Sequence, residues 1–281
     1  MDNLWKHTLW KNPKIKFINN AEIIEYDMKN AGFSLIKKYR LLSENKIDEL
    51  EKLGNRVNPI DKKFFKRKRD EEIGKLQRDN KAFSTALNYS FELARKDFIT
   101  ENKLTEDDII SIKKDAIFVI TRGRKINGKI DEFVNFRKKN EYTSYFSLSD
   151  GKIEIYINFD KVTDIKGISD DNVKLHENYF IKFITNVFYK LETEEYNSVV
   201  IFITNFIEKY KSRTLDINYY REFNPMSKYR YLDGETTSID YKEDANEIDI
   251  SHNYSIITDL LLCVIINHKS ELYKKGGKKW N

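Results

Sequence analysis

Hydrophobic positions along the chain fall into blocks whose period changes several times. Residues 22–28, Glu-Ile-Ile-Glu-Tyr-Asp-Met, alternate in an extended, β-branched pattern that predicts a strand running into an aspartate. Ala31, Leu35, Ile36 and Tyr39 then recur at helical spacing, so a helix leaves the strand end. Ser43 to Leu53 predicts a second helix behind a Ser N-cap, closed by turn chemistry from Gly54 to Pro59. Between 70 and 100 there is no Pro and only Gly74, and Ile73, Leu76, Phe83, Leu87, Phe91, Ala94 and Phe98 follow one apolar stripe. One long helix is expected there.

Ile109 to Ile120 predicts a strand, or a hairpin folded around Lys113-Lys114-Asp115, after the turn-like Thr105-Glu106-Asp107-Asp108. Shorter strands are expected at Ser144 to Leu148, Lys152 to Phe159 and Val162 to Ile168, with Ser149-Asp150-Gly151 as a hairpin turn. From about 174 to 212 the period returns to helical, over two helices, and Ile256 to Ile266 predicts a last buried one. The expected class is α+β. No internal repeat is visible.

At 281 residues the chain exceeds one minimal core, and one elaborated domain or two closely joined lobes are expected. Three prolines and ten glycines disfavour a many-turned β sandwich, and a 34% charged fraction of both signs argues against a membrane protein. Cys263 is the one cysteine, so there is no internal disulfide, and its place in the apolar run from Leu260 to Ile266 suits a small buried hydrophobe. No 18-residue apolar stretch occurs and the first residues carry no secretion signal, so a cytoplasmic protein without membrane contact is expected. The net charge of +5 says little, but its distribution says more: Lys62, Lys63, Lys66, Arg67, Lys68 and Arg69 crowd into one run.

His7, His176, His252, His268 and Cys263 show no zinc spacing, and neither a phosphate-binding loop nor a dinucleotide glycine fingerprint is present. What stands out is an aspartate on each of two apolar strands, Asp27 and Asp115. If the strands are neighbours the carboxylates meet, and such a pair needs a counter-charge. Mg²⁺, or Mn²⁺, accepts these oxygens together with substrate phosphates, as in two-metal phosphoryl transfer.

At these residues the chain resembles palm-domain nucleic-acid polymerases. Asp27-Met28-Lys29-Asn30-Ala31-Gly32-Phe33-Ser34-Leu35-Ile36 resembles motif A of the family B DNA polymerases, and Lys114-Asp115-Ala116-Ile117-Phe118-Val119 resembles the end of motif C. Lys138-Lys139-Asn140-Glu141-Tyr142 is similar to the K-K-x-Y element, and Lys166-Gly167-Ile168 to the K-G-I segment. Lys81 and Tyr89 stand eight residues apart, the interval of the fingers helix in family A and single-subunit RNA polymerases, with Arg78 three residues before Lys81. Two positions depart from the pattern. Lys113 replaces the first motif C aspartate, and Gly32 stands where family B carries its tyrosine gate against ribose, as in single-subunit RNA polymerases.

The resemblance implies a polymerase-like palm in two parts, 1–60 with the N-terminal segment and 105–172, around a helical fingers-like insertion at 61–104. A mostly helical thumb-like lobe and tail would follow at 173–281. It further implies a minimal, phage-like, template-dependent nucleotidyltransferase without proofreading. Asp27 and Asp115 would hold two Mg²⁺ ions, and Arg78, Lys81, Tyr89 and Gly32 would meet the nucleoside triphosphate, with Gly32 leaving room for a ribose hydroxyl. Lys62, Lys63, Lys66, Arg67, Arg69, Lys138, Lys139 and Lys166 would grip the nucleic acid by its phosphates. Replication or transcription proteins are the expected protein partners. Each residue also has a plainer reading: Asp115 as a turn residue, Gly32 as an aid to close helix contact, the lysines as a solvated face, and Tyr89 and Phe83 as core. Tyr219, Tyr220, Tyr229 and Tyr231, interleaved with Arg221 and Arg230, are candidates for stacking on bases or for burial. Three other readings stay open: a non-catalytic nucleic-acid-binding protein, a metal-dependent nuclease, and an assembly subunit.

Overall fold

The computed structural model describes residues 4–54, 62–148, 152–158, 162–220, 223, 229–232, 235–238 and 247–276, the protein being a mixed α and β chain. It divides into two compact units, Met1–Asn12 with Glu22–Glu141, and Pro13–Ala21 with Tyr142–Asn281. The expected turn at Ser149-Asp150-Gly151 lies outside the described residues, as do the side chains of Lys62, Lys63, Tyr229, Arg230 and Tyr231.

The first unit is built on a five-stranded sheet in the order β1-β4-β5-β3-β6, made of β1 (Leu9–Lys11), β3 (Ile23–Met28), β4 (Ile109–Lys113), β5 (Ala116–Ile120) and β6 (Phe136–Tyr142). β4 and β5 are the two arms of the expected hairpin, and β5 pairs antiparallel with β3, setting Ile24 against Val119 and Asp27 against Ala116. Along β3 the side chains alternate, so Ile24, Tyr26 and Met28 enter the core while Glu25 and Asp27 share the opposite face. The core is closed by α1 (Ala31–Tyr39), α2 (Glu44–Gly54), α3 (Lys62–Asp79) and α4 (Lys81–Glu101).

The expected single helix over 70–100 is two helices, α3 and α4. Asn80 separates them in an extended conformation, φ −130° and ψ 102°, and its side chain accepts a hydrogen bond from the Phe83 amide at 3.0 Å. A short amide side chain that satisfies an otherwise orphaned N–H starts a new helix instead of continuing the old one. From there Phe83, Leu87, Phe91, Ala94 and Phe98 form the buried stripe of α4. Phe98 is fully buried with its ring 4.5 Å from Phe136 and 5.4 Å from Tyr26, which seats the helix on the sheet. Each such ring removes apolar area worth about 1.5–3 kcal/mol.

The second unit holds an antiparallel four-stranded sheet, β2-β7-β8-β9, from β2 (Phe17–Ile18), β7 (Ser144–Leu148), β8 (Ile153–Asn158) and β9 (Val162–Lys166). The stretch 105–172, read from sequence as one part of a palm, is thus divided: β4 to β6 belong to the first unit and β7 to β9 to the second. Phe146, Leu148, Ile153, Ile155 and Ile157 bury one face of this sheet under helices α5 (Asp170–His176), α6 (Lys182–Thr193), α7 (Tyr196–Lys211) and α8 (Glu247–Gly276). A π-helical turn, Glu177–Ile181, joins α5 to α6. A short hairpin of β10 (Tyr229–Leu232) and β11 (Glu235–Ser238) was not anticipated. Tyr220 is buried, its hydroxyl donating to the Tyr210 carbonyl at 3.1 Å, and Tyr219 packs edge-on against Tyr179 and Phe206, so both serve this core. Cys263 sits half-buried on α8, and burial pushes its thiol up to about 11, which keeps it protonated near neutrality.

Candidate functional site

Asp27 is the penultimate residue of β3, and Asp115 is the second residue of the two-residue turn between β4 and β5. Because Asp27 stands in register with Ala116, Asp115 arrives one residue further along the neighbouring strand, and the Met28 amide donates to the Asp115 carbonyl at 3.0 Å. Both aspartates line one cleft of about 310 Å³ in the first unit. Burial pushes the Asp115 carboxyl above its ordinary value and the charge of Asp27 adds to the rise, while its own backbone amide, Lys114 and Lys139 oppose it. The two carboxylates therefore feel one another. Asp27 also has Arg137 of β6 at 3.4 Å.

Gly32, Lys66, Asp70 and Lys114 line the same cleft, with Ile73, Leu87 and Phe91 as its apolar floor. Lys66, Asp70, Ile73 and Gln77 recur at helical spacing, so one face of α3 forms a wall. Two residues of the rim hold left-handed backbone, Asn30 at φ 51° and Lys114 at φ 53°. Asparagine tolerates that region and a two-residue hairpin turn uses it, so each conformation follows from its place in the chain. Lys114, beside Asp115 in the turn, places its ammonium 5.4 Å from the Phe91 ring centroid.

No group of three or more His, Cys, Asp or Glu side chains suited to a metal occurs among the described residues. Three aspartates line the cleft, and while Asp70 stands 3.6 Å from the buried Arg69, Asp27 and Asp115 repel one another and suit Mg²⁺, which commonly takes one or two protein carboxylates and completes its octahedron with water and phosphate oxygens. Asp27 and Asp115 are the residues that would hold it.

The other expected site residues divide. Arg78 is exposed on α3 and lines a second groove with Lys66, Arg67, Asp70, Glu71, Gly74 and Lys75, beside the aspartate cleft instead of in it. Lys81, the first residue of α4, and Tyr89, 59% exposed, do not line the cleft, and Tyr89 is not a core residue. Phe83 is core. Among the described residues, the cations that line the cleft are Lys66 and Lys114.

The basic run separates by helical face. Arg67 is exposed and paired with Glu71 at 3.1 Å, and the Lys68 ammonium lies over the Phe64 ring. Arg69 is buried, 3% exposed, and is no surface grip for phosphates. It donates to Asn30 Oδ1 at 3.2 Å, lies 4.6 Å over the Phe33 ring and has Asp70 at 3.6 Å. It thereby ties α3 to the start of α1. Burial lowers its pKa, opposed by Asp70, yet a guanidinium stays charged at any ordinary pH.

Lys138 and Lys139 lie on β6 and Lys166 on β9, which belong to different units. Lys139 donates to Glu25 Oε1 at 2.9 Å while Asn140 donates to Glu25 Oε2 at 2.7 Å, so it neutralises a carboxylate only 3% exposed. Lys138 pairs with the exposed Glu141 at 2.6 Å, and Lys166 stands 3.8 Å from Asp164, whose carboxylate accepts a hydrogen bond from the Tyr142 hydroxyl. Adjacent lysines should thus behave differently. Lys139→Ala is expected to lower stability by about 2 kcal/mol, because it strands a buried charge, and Lys138→Ala by no more than about 0.5 kcal/mol. Urea unfolding of the two variants distinguishes them.

Gly32 does not owe its identity to crowding. A Cβ there would meet Ile73 Cγ2 at 3.7 Å, an ordinary contact, so close helix approach does not demand glycine, while the position opens onto the cleft. Gly32→Ala should keep or raise stability, by up to about 1 kcal/mol, since it removes helical backbone freedom from the unfolded chain. A thermal melt that fell by several degrees would show a demand for glycine that the 3.7 Å clearance does not reveal.

A family described as bacteriophage PBS1 gene 130 protein matches residues 1–272, nearly the whole length. The chain belongs to this phage protein family. No curated protein matches it in sequence. Among the described residues no helix is long and apolar enough to cross a membrane.

Proposed function

We propose that this phage protein is a minimal template-directed nucleotidyltransferase whose first unit is a polymerase-like palm. The observation that carries the reading is the convergence of Asp27 and Asp115, from adjacent antiparallel strands, on one cleft that also presents Lys66 and Lys114. Asp27 and Asp115 would hold Mg²⁺, or Mn²⁺, whose positive charge would be the chemistry supplied for attack by a primer 3′-hydroxyl and departure of pyrophosphate. Lys66 and Lys114 face the triphosphate, and Arg78, one residue beyond the cleft wall at Gln77, extends that positive surface along α3. Gly32 leaves the sugar side of the cleft without a side chain, which favours acceptance of ribonucleotides. Lys81 and Tyr89, exposed at the start and middle of α4, lie outside the cleft and take no part in this reading, and Lys138, Lys166 and Arg67 remain for phosphate contacts.

A second reading has an observation of its own. Arg137 at 3.4 Å already gives Asp27 a cationic partner, which suits a non-catalytic nucleic-acid-binding protein that needs no metal. A labelled primer–template incubated with Mg²⁺ and either nucleotide set separates the readings. Lengthening supports the transferase, shortening a metal-dependent nuclease, and retention without change of length, independent of Mg²⁺, the binding protein.

A further inference from the structure

The turn that carries Asp115 is held at three of its four backbone polar groups, from three separate segments. The Lys114 amide donates to the Thr8 carbonyl at 2.6 Å, the Asp115 carbonyl accepts from the Met28 amide at 3.0 Å, and the Lys114 carbonyl accepts from Arg95 Nη1 at 2.7 Å. Arg95 lies on α4 in the middle of the apolar stripe and is 1% exposed. Its Nε donates to the Trp5 carbonyl at 2.8 Å, so one guanidinium fastens the N-terminal segment and the turn to the same helix. Burial lowers its pKa, and the charges of Glu92 and Asp115 work the other way.

A cation this deep is costly unless its donors are met, and here Nε and Nη1 are both spent on backbone carbonyls. What it holds is the carbonyl of Lys114, the first residue of the two-residue β4–β5 turn, whose φ of 53° is the left-handed backbone that such turns use. We propose that Arg95 is the positioning residue for Asp115, clamping the β4–β5 turn through the Lys114 carbonyl so that the carboxylate is presented beside Asp27. The role of Asp115 in this inference rests on the nucleotidyltransferase reading, whereas the clamp itself does not.

The test uses the full chain, with Arg95→Gln and Arg95→Lys, and reads two quantities other than activity. In native-state hydrogen exchange, the amides of Lys114 and Met28 report whether the turn keeps its place, and those of the β3–β5 ladder report the fold. In Arg95→Gln the turn amides should lose protection at least about tenfold against an unchanged ladder, and Mn²⁺ affinity, followed by its electron paramagnetic resonance, should fall about 10- to 100-fold, the usual cost of losing a group that orients a ligand. Arg95→Lys, which keeps a charged donor, should recover part of both. Turn amides that stay protected, or a loosened turn with undiminished Mn²⁺ binding, would overturn the inference. So would global unfolding of both variants, which would make Arg95 a residue of the fold alone. A wild-type chain that takes up no Mn²⁺ sinks the metal-site reading instead, and the exchange of the turn amides still decides the clamp.

Discussion

Alanine at Asp115 is expected to reduce nucleotide addition by about a thousandfold or more, equivalent to about 4 kcal/mol of lost transition-state stabilisation. Asp27→Ala should do the same, and the double variant should be no worse than either single one, because the two carboxylates act as one metal-holding unit. The accompanying change in stability has the opposite sign. Asp115 is raised by burial and by Asp27, so the folded state holds its proton more tightly than the unfolded chain does. Folding is therefore penalised by this group above its folded-state pKa, and the penalty disappears as the pH falls below the ordinary aspartate value, where the group is protonated in both states. Asp115→Asn should raise the melting temperature at neutral pH and leave it unchanged near pH 3. Asp27, with Arg137 exposed beside it, should yield at most about 1 kcal/mol either way. Activity lost together with stability gained is the signature of a site that strains its own fold. Retained extension in either alanine variant would sink the proposed mechanism, and a melt that drops at pH 7 in Asp115→Asn would contradict its electrostatics.

The strands and the hairpin that bring Asp27 and Asp115 together could be read from alternation and β-branching alone, because strand patterns are local and the turn sits where two lysines interrupt an apolar run. Residues whose meaning depends on helical phase were harder. Arg69 looked like one more cation of a basic run, yet it stands four residues before Ile73 and seven before Leu76, in phase with the buried stripe, and that phase put it in the core. Tyr89 errs the other way: two residues past Leu87 it points about 200° away from the stripe and is exposed. Asp70 and Lys66, on the cleft wall, share the spacing of Gln77 and Ile73, a signal hidden by the charge of the whole run. Arg95 carries the same signal, four residues after Phe91 and three before Phe98, but phase marks only its burial and not the two backbone carbonyls distant in sequence that it reaches, at Trp5 and Lys114.

Gly167→Ala is expected to be among the most destabilising single changes in the second unit, by about 3 kcal/mol or more, although it adds one methyl group. Gly167 follows β9 with φ +89°, and a Cβ built there would stand 1.8 Å from the Lys152 carbonyl oxygen and 2.9 Å from its carbon. Backbone cannot yield as the tip of a flexible side chain can, so either Lys152 and the start of β8 move or the turn after β9 opens. Both routes disturb the β8–β9 pairing that sets Glu154 against Lys166. The left-handed backbone adds its own cost for any residue with a Cβ. This bears on the resemblance between Lys166-Gly167-Ile168 and the polymerase K-G-I segment, since the glycine is required here by a strand-end geometry that would demand it in a protein of any function. Lys166, with its ammonium 3.8 Å from Asp164, carries whatever nucleic-acid role the segment has. Urea unfolding of Gly167→Ala should therefore show a large fall in stability, and Lys166→Ala should leave stability within about 0.5 kcal/mol while weakening salt-dependent binding to a nucleic-acid duplex. A Gly167→Ala variant as stable as the parent would mean that the Lys152 carbonyl is not where the fold places it.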